Sequence, residues 1–130
     1  MFIIVVGGGR LGTLLATKLK VDGNQVTIID KSASTCNTVA ENIRGVLVIQ
    51  GDATDPAVLK EAKIEKADVL VCTTSFDEDN IVVCNIAKEM FNIKRTVSAV
   101  NNPQHLALYK YMNVDAPIDA TAILARVVEE

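Results

Sequence analysis

The residues whose types and spacing could do chemistry lie near the start of the chain: Gly7-Gly8-Gly9-Arg10-Leu11-Gly12, then Asp30, eighteen positions past Gly12. A G-x-G-x-x-G run can bring backbone against a diphosphate. Gly7 permits the tight turn, Gly9 has no Cβ to hold a pyrophosphate away, and Gly12 lets a helix pack close to the strand before it. The start of that helix offers unpaired N–H groups and partial positive charge to phosphate oxygens. A carboxylate at Asp30 can accept both hydrogen bonds of an adenosine ribose diol. It would also repel a 2′-phosphate, which disfavours NADP. The plainer alternative is that the glycines make only a tight turn and Asp30 only caps the next helix.

The flanking sequence decides how much weight the glycines bear. Phe2 to Val6 is an unbroken apolar run, rich in β-branched residues and of strand length. Thr13-Leu14-Leu15-Ala16-Thr17-Lys18-Leu19 has the apolar spacing of a helix, and Gln25 to Ile29 reads as a second strand that delivers Asp30. Strand, glycine turn, helix, strand and acid together make a nucleotide-binding prediction.

The alternation continues to the end of the chain. Ser32 or Ser34 can cap a helix running to about Ile43, and Gly45 closes it. Val46–Ile49 is a third strand, Pro56 stands at a first helical position, and Ala57–Ala62 is a short helix. A fourth strand over Ala67–Cys72 leads to a helix from Asp77 to about Phe91. Arg95–Val100 is a fifth strand, Gln104–Tyr111 a helix and Val114–Pro117 a brief sixth strand. Asp119 caps a last helix from about Ala120. The reading is a single α/β domain over 1–130, a doubly wound parallel six-stranded sheet of order 3-2-1-4-5-6 with helices on both faces. Right-handed crossovers put every strand's C-terminal end on one edge. The candidate site is therefore Gly7 to Gly12, Asp30, Lys31, Gly51-Asp52-Ala53-Thr54, Thr73-Thr74-Ser75 and Asn101.

Several of these residues admit two readings. Asp52 can accept from an adenine amino group or bond its own turn backbone. Thr73, Thr74 and Ser75 can donate to phosphate or ribose, or merely satisfy loop carbonyls. Arg10 can pair with a terminal phosphate in a bidentate way, or be a surface charge. A dehydrogenase needs an acid or base against its substrate. The single histidine, His105, reads as solvated or partly packed, and Lys94, Arg95, Tyr109 and Tyr111 form no evident constellation. Asp77-Glu78-Asp79 reads as a solvated helix start favoured by the dipole rather than a cation site. The last helix gathers Ala120, Ile123, Leu124, Val127 and Val128 on one apolar face, which must pack on the domain's own sheet or, as the preferred reading, on a second copy.

The bulk composition excludes other classes. A net charge of −3 and few aromatic residues argue against a nucleic-acid partner. The cysteines, Cys36, Cys72 and Cys84, are odd in number without metal-ligand spacing, so a disulfide or zinc framework is not expected and a reducing cytoplasm is. Met1 leads straight into the first strand, leaving no room for a signal peptide, and every apolar run is far short of a membrane span.

With these residues assembled, the chain resembles the N-terminal nucleotide-binding (RCK or KTN) domain of regulators of potassium conductance. That family comprises cytoplasmic Trk/Ktr potassium-uptake subunits of the TrkA type and related gating-ring domains of potassium channels. The resemblance covers essentially all 130 residues. It rests on Phe2–Gly12, Val26–Asp30, Gly51-Asp52-Ala53-Thr54, Ala67–Asn80 and Asn101-Asn102-Pro103. It implies a Rossmann-like fold binding NAD(H) or ATP/ADP without catalysis, and dimers assembled into a ring beneath a separate membrane pore protein. It also implies that the segment from about 119 is a crossover helix exchanged between subunits. Family members often carry an arginine in the strand before the Asn-Pro turn. This sequence has Ser98-Ala99 there, so that arginine's phosphate or partner contacts do not transfer. The family's usual second regulatory domain also has no counterpart in these residues.

The expectation is thus a cytoplasmic regulatory subunit, peripheral to the membrane through a potassium transporter partner. It would bind an adenine nucleotide, NAD(H) ahead of ATP/ADP, with no catalytic or metal residues. Its rivals are an NAD-dependent oxidoreductase lacking its substrate domain, an S-adenosylmethionine-dependent methyltransferase and a purely structural assembly domain.

Overall fold

In the computed structural model, which describes residues 1–130, β1 (Phe2–Val6) takes the centre of the sheet because nothing polar interrupts it. Ile3 to Val6 are buried on both faces, as a central parallel strand requires. α1 (Arg10–Val21) starts at the glycine turn, and Gly23, in the left-handed region at φ 94°, turns the chain into β2 (Gln25–Asp30). α2 (Ala33–Asn42) is capped by Ser32, whose Oγ accepts from Thr35 N. β3 (Leu47–Gln50) follows, and Asp55 caps α3 (Pro56–Glu61) with Pro56 at its first turn. β4 (Val69–Cys72), α4 (Asp77–Glu89), β5 (Arg95–Ala99), α5 (Leu106–Tyr111) and β6 (Ala116–Ile118) complete the array. α6 (Ala120–Glu129) closes the chain, capped by Asp119.

All five strand pairings are parallel, in the order β3-β2-β1-β4-β5-β6. The direction of winding reverses at β1, so α1 and α2 cover one face and α3, α4 and α5 the other. Two apolar clusters record this. Ala16 and Val39 pack on Ile3, Val5, Val26 and Ile28, while Leu59, Ile81, Val83, Cys84 and Tyr109 pack on Ile4, Val6, Ile29 and Leu70. Val6 lies level with Ile29 and Cys72, which brings the glycine turn, Asp30 and Thr73 to the same edge. The three cysteines are buried free thiols, with Cys72 and Cys84 Sγ 3.7 Å apart; burial pushes the Cys72 thiol well up.

The sequence reading needs correction at several boundaries. The fourth strand begins at Val69 rather than Ala67, because a 3-10 turn over Ile64–Lys66 precedes it and the Asp68 carboxylate accepts from Phe2 N at 2.8 Å. The sixth begins at Ala116 rather than Val114. There the Asp115 side chain accepts from Thr96 N at 2.9 Å and Thr96 Oγ1 accepts from Asp115 N at 3.0 Å, replacing ladder bonds by side-chain bonds. α4 stops at Glu89, short of Phe91, and Asn92 turns the chain in the left-handed region at φ 56°. The segment after Pro103 opens with a 3-10 turn over Pro103–His105 before α5. α6 does not fold back on the sheet: none of its residues is buried, and Leu124 and Val128 stand 65% and 82% exposed.

Candidate functional site

The three glycines of the G-x-G-x-x-G pattern do different physical work. Gly7 sits at φ 110°, and a Cβ there would meet Thr73 Oγ1 at 2.6 Å. A Cβ on Gly12 would stand 1.8 Å from the Gly7 carbonyl oxygen, so the close approach of α1 to the turn depends on its absence. Gly9 is the reverse case: a Cβ there would meet nothing within 4 Å. Its bareness serves no contact within the protein and leaves the mouth of the turn clear. Gly9 is also the cap residue of α1, and no side chain caps that helix. The amides of the first turn thus remain for an anion.

Asp30 braces the turn from the side. Its Oδ2 accepts from Gly8 N at 2.8 Å and its Oδ1 from Ser32 N at 2.9 Å. An ionised carboxylate offers about four acceptor positions, so about two remain for a diol. Asp52 takes the turn role that the sequence left open. Its Oδ1 accepts from Thr54 N at 2.9 Å and Thr54 Oγ1 at 2.7 Å, and these bonds hold its carboxyl below the usual range. Its other oxygen lies 3.8 Å from Lys31 Nζ, which also donates to Asp79 Oδ2 at 3.3 Å. That hydrogen bond, with the charge behind it, raises the Lys31 ammonium. The hydroxyls after β4 divide. Thr73 Oγ1 donates to Val6 O at 3.0 Å and Thr74 Oγ1 donates to Asn80 Oδ1 at 2.6 Å, whereas Ser75 Oγ has no partner in the protein.

These groups surround a crevice of about 450 Å³ at the β1–β4 switch point. Gly7, Gly9, Arg10, Asp30 and Lys31 line it, with Gly51 to Thr54 and Thr73 to Ser75. Gly8, Leu11, Gly12 and Asn101 do not: Gly8 and Gly12 are buried behind the turn, Leu11 faces outward, and Asn101 is engaged elsewhere. The sequence reading missed Val6, Ile29, Ser32, Phe76, Asp79 and Val83 on the same wall. Val6, Ile29 and Ser32 are strand-end neighbours that the carboxyl-edge rule would have included, Phe76 follows directly on Ser75, and Asp79 stands in the first turn of α4.

Asp77 and its surroundings require the largest correction. The expected solvated helix start is instead a buried hub, 4% exposed. Asn101 N, Asn101 Nδ2 and Tyr109 Oη donate to its Oδ1 at 2.8, 2.9 and 2.6 Å. Asn102 N donates to Oδ2 at 2.8 Å, and His105 Nδ1 lies 2.8 Å from the same oxygen, the donor there because the carboxylate can only accept. Burial alone would raise this carboxyl; the bonds from Tyr109, Asn101 and His105 outweigh it and hold it far below the usual range. Burial and the same carboxylate push the Tyr109 phenol well up. Tyr109, which formed no evident constellation in the sequence, and the partly packed His105 are joined through Asp77, outside the crevice lining.

The strand order and the glycine turn at the switch point define the class as a Rossmann-like, doubly wound domain. The family model of the TrkA-N domain matches residues 3–120, and the chain belongs to that family. It is 35% identical over 130 residues to a Trk system potassium uptake protein TrkA homolog of Methanothermobacter thermautotrophicus, covering 100% of this chain and 59% of that one. The chain thus spans little more than half of that relative's length. The TrkA-N domain of inner membrane protein YbaL from Escherichia coli superposes with a TM-score of 0.89 at 20% identity, covering 98% of this chain and 93% of that one. The GsuK channel, in structures bound to NAD and to ADP, gives a TM-score of 0.85 at 21% identity, covering 97% of this chain and 22% and 33% of those. No helix of this chain is long and apolar enough to cross a membrane.

Proposed function

We propose that this chain is the nucleotide-sensing domain of a potassium-uptake regulator. It binds an adenine nucleotide, NAD(H) in preference to ATP/ADP, and biases a separate membrane potassium transporter from the cytoplasmic side without catalysing a reaction. The single observation that carries this is the pairing of an unobstructed Gly9 mouth with Asp30, whose carboxylate keeps free acceptor positions beside it. Asp30 would hold the adenosine ribose. The glycine turn, the α1 start and Arg10 would hold the phosphates, with Ser75 the one hydroxyl after β4 free to reach the ligand. The family name carried by the relatives points to potassium uptake, and the NAD and ADP of GsuK point to an adenine nucleotide.

Biasing a pore requires that the nucleotide bind two assembly states with different affinity. The exposed apolar face of α6, with Ile123, Leu124, Val127 and Val128, supports assembly through a second copy, a homodimer that builds a larger ring. The deciding experiment is to denature purified protein and identify by mass the small molecule released, followed by calorimetry with NADH, NAD+, ATP and ADP. Binding of an adenine nucleotide is expected. Tight binding of S-adenosylmethionine alone, NAD-coupled turnover of an alcohol or hydroxy acid, or no binding at all would each overturn the reading.

A further inference from the structure

We infer that Asn101, together with Asn80, is a positioning residue for the β4-side wall of the crevice, clamping the Thr74 carbonyl from behind and so setting where the Thr73–Ser75 turn meets a bound nucleotide. The inference rests on the nucleotide reading above. Thr74 O accepts from Asn101 Nδ2 at 2.9 Å and from Asn80 Nδ2 at 3.0 Å, while Thr74 Oγ1 donates to Asn80 Oδ1 at 2.6 Å. Neither asparagine lines the crevice. Both are themselves fixed: Asn80 is fully buried at the start of α4, and Asn101 is held by its two bonds to Asp77 Oδ1. A carbonyl oxygen has two lone pairs, and here both are met by donors that cannot swing.

The clamp acts on one half of the site. Asp30 and Asp52 stand at the ends of β2 and β3, whereas Thr73–Ser75 follows β4, across β1 from them. An adenosine held at Asp30 has its α-phosphate at the glycine turn. What lies against Thr74 and Ser75 is the portion beyond: a terminal phosphate or a second nucleoside. Loss of the clamp therefore weakens a long ligand more than a short one, which a general loss of stability would not do.

The test compares wild type, Asn101→Ala and the conservative Asn101→Gln. Asn101 is exposed on a turn; the alanine cut removes its Nδ2 bonds to Thr74 and to Asp77 but leaves its backbone N–H on Asp77, and Asn101→Ser carries the same test if the alanine variant does not fold. Dissociation constants are measured for AMP and for whichever of NADH and ATP the wild type binds more tightly. Amide hydrogen exchange at Ser75 and Phe76 is followed without ligand. In Asn101→Ala the long ligand should lose roughly three- to tenfold more affinity than AMP, and exchange should accelerate by a similar factor. Asn101→Gln should recover part of both. Equal losses for the two ligands, or exchange unchanged by Asn101→Ala, would overturn the clamp. Wild-type protein binding neither ligand would overturn the nucleotide reading instead, with exchange still reporting on whether the clamp holds the wall.

Discussion

Two stretches of the sheet's carboxyl edge hold nearly the same stock of carboxylates, hydroxyls and amides and use it in opposite ways. Around Asp77 the carboxylate is spent: five donors converge on it and tie the start of α4 to the β5–α5 turn. Around the glycine turn, capacity is left over. Gly9 faces nothing, Ser75 Oγ has no partner, and Asp30 has used about half of its acceptor positions. Residue type alone would rank Asp77, His105 and Tyr109 as the more reactive group. Hydrogen-bond accounting reverses that order, because a group with every position filled has nothing to offer a ligand.

Substitutions can break this contrast, beginning with the largest effect. A methyl at Gly12 would stand 1.8 Å from the Gly7 carbonyl, so Gly12→Ala should destabilise by about 3 kcal/mol or more and lower Tm by something on the order of 10 °C. The same methyl at Gly9 meets no neighbour and should cost no more than about 1 kcal/mol, the loss of a glycine cap, while nucleotide affinity falls. Thermal melts and titrations of the two variants separate fold from function at neighbouring glycines. Equal melts for the pair would remove the distinction.

Next comes the hub. Asp77→Ala strands its donors and should cost about 3 kcal/mol in urea unfolding at pH 7. The Asp77 carboxyl is held below its unfolded value, so its contribution is complete above that value and is lost as pH falls towards the folded one. Wild type should therefore lose stability below about pH 4 more steeply than Asp77→Ala does. Parallel acid profiles would show that the hub carboxylate is not ionised in the fold.

Two smaller effects belong to the crevice. Asp30→Ala should weaken every adenine nucleotide by roughly ten- to a hundredfold through loss of the ribose contacts, with a modest fall in Tm from the two freed backbone amides. Arg10→Ala should cost ATP a few-fold more than NAD+, since the guanidinium would meet a terminal phosphate. Calorimetry on both ligands decides each case, and an equal loss for ATP and NAD+ would take Arg10 off the terminal phosphate.

The fold was legible because strand and helix periods alternate without interruption, and the carboxyl-edge rule then carried Asp30, Asp52 and Thr73 to one crevice. The reading failed where side chains took over backbone duties, as Asp68 and Asp115 do at two strand starts. It failed more deeply at Asp77, which looks like an ordinary acid at a helix start. Its burial depends on donors 24 to 32 residues away that only the pairing of β5 brings near. Asn101 misled for the same reason: it sits at the right edge, but its amide points at Thr74 and Asp77 instead of the crevice.

The exposure of α6 bears on the helix–coil balance of the chain's end. No residue of α6 is buried against the domain, so the domain's core adds little to its winding. A cover over Leu124 and Val128 would add the packing that this winding lacks in the single domain. If that cover is a second copy, ellipticity at 222 nm should climb as the protein is concentrated, with the last turn the first part to melt on dilution.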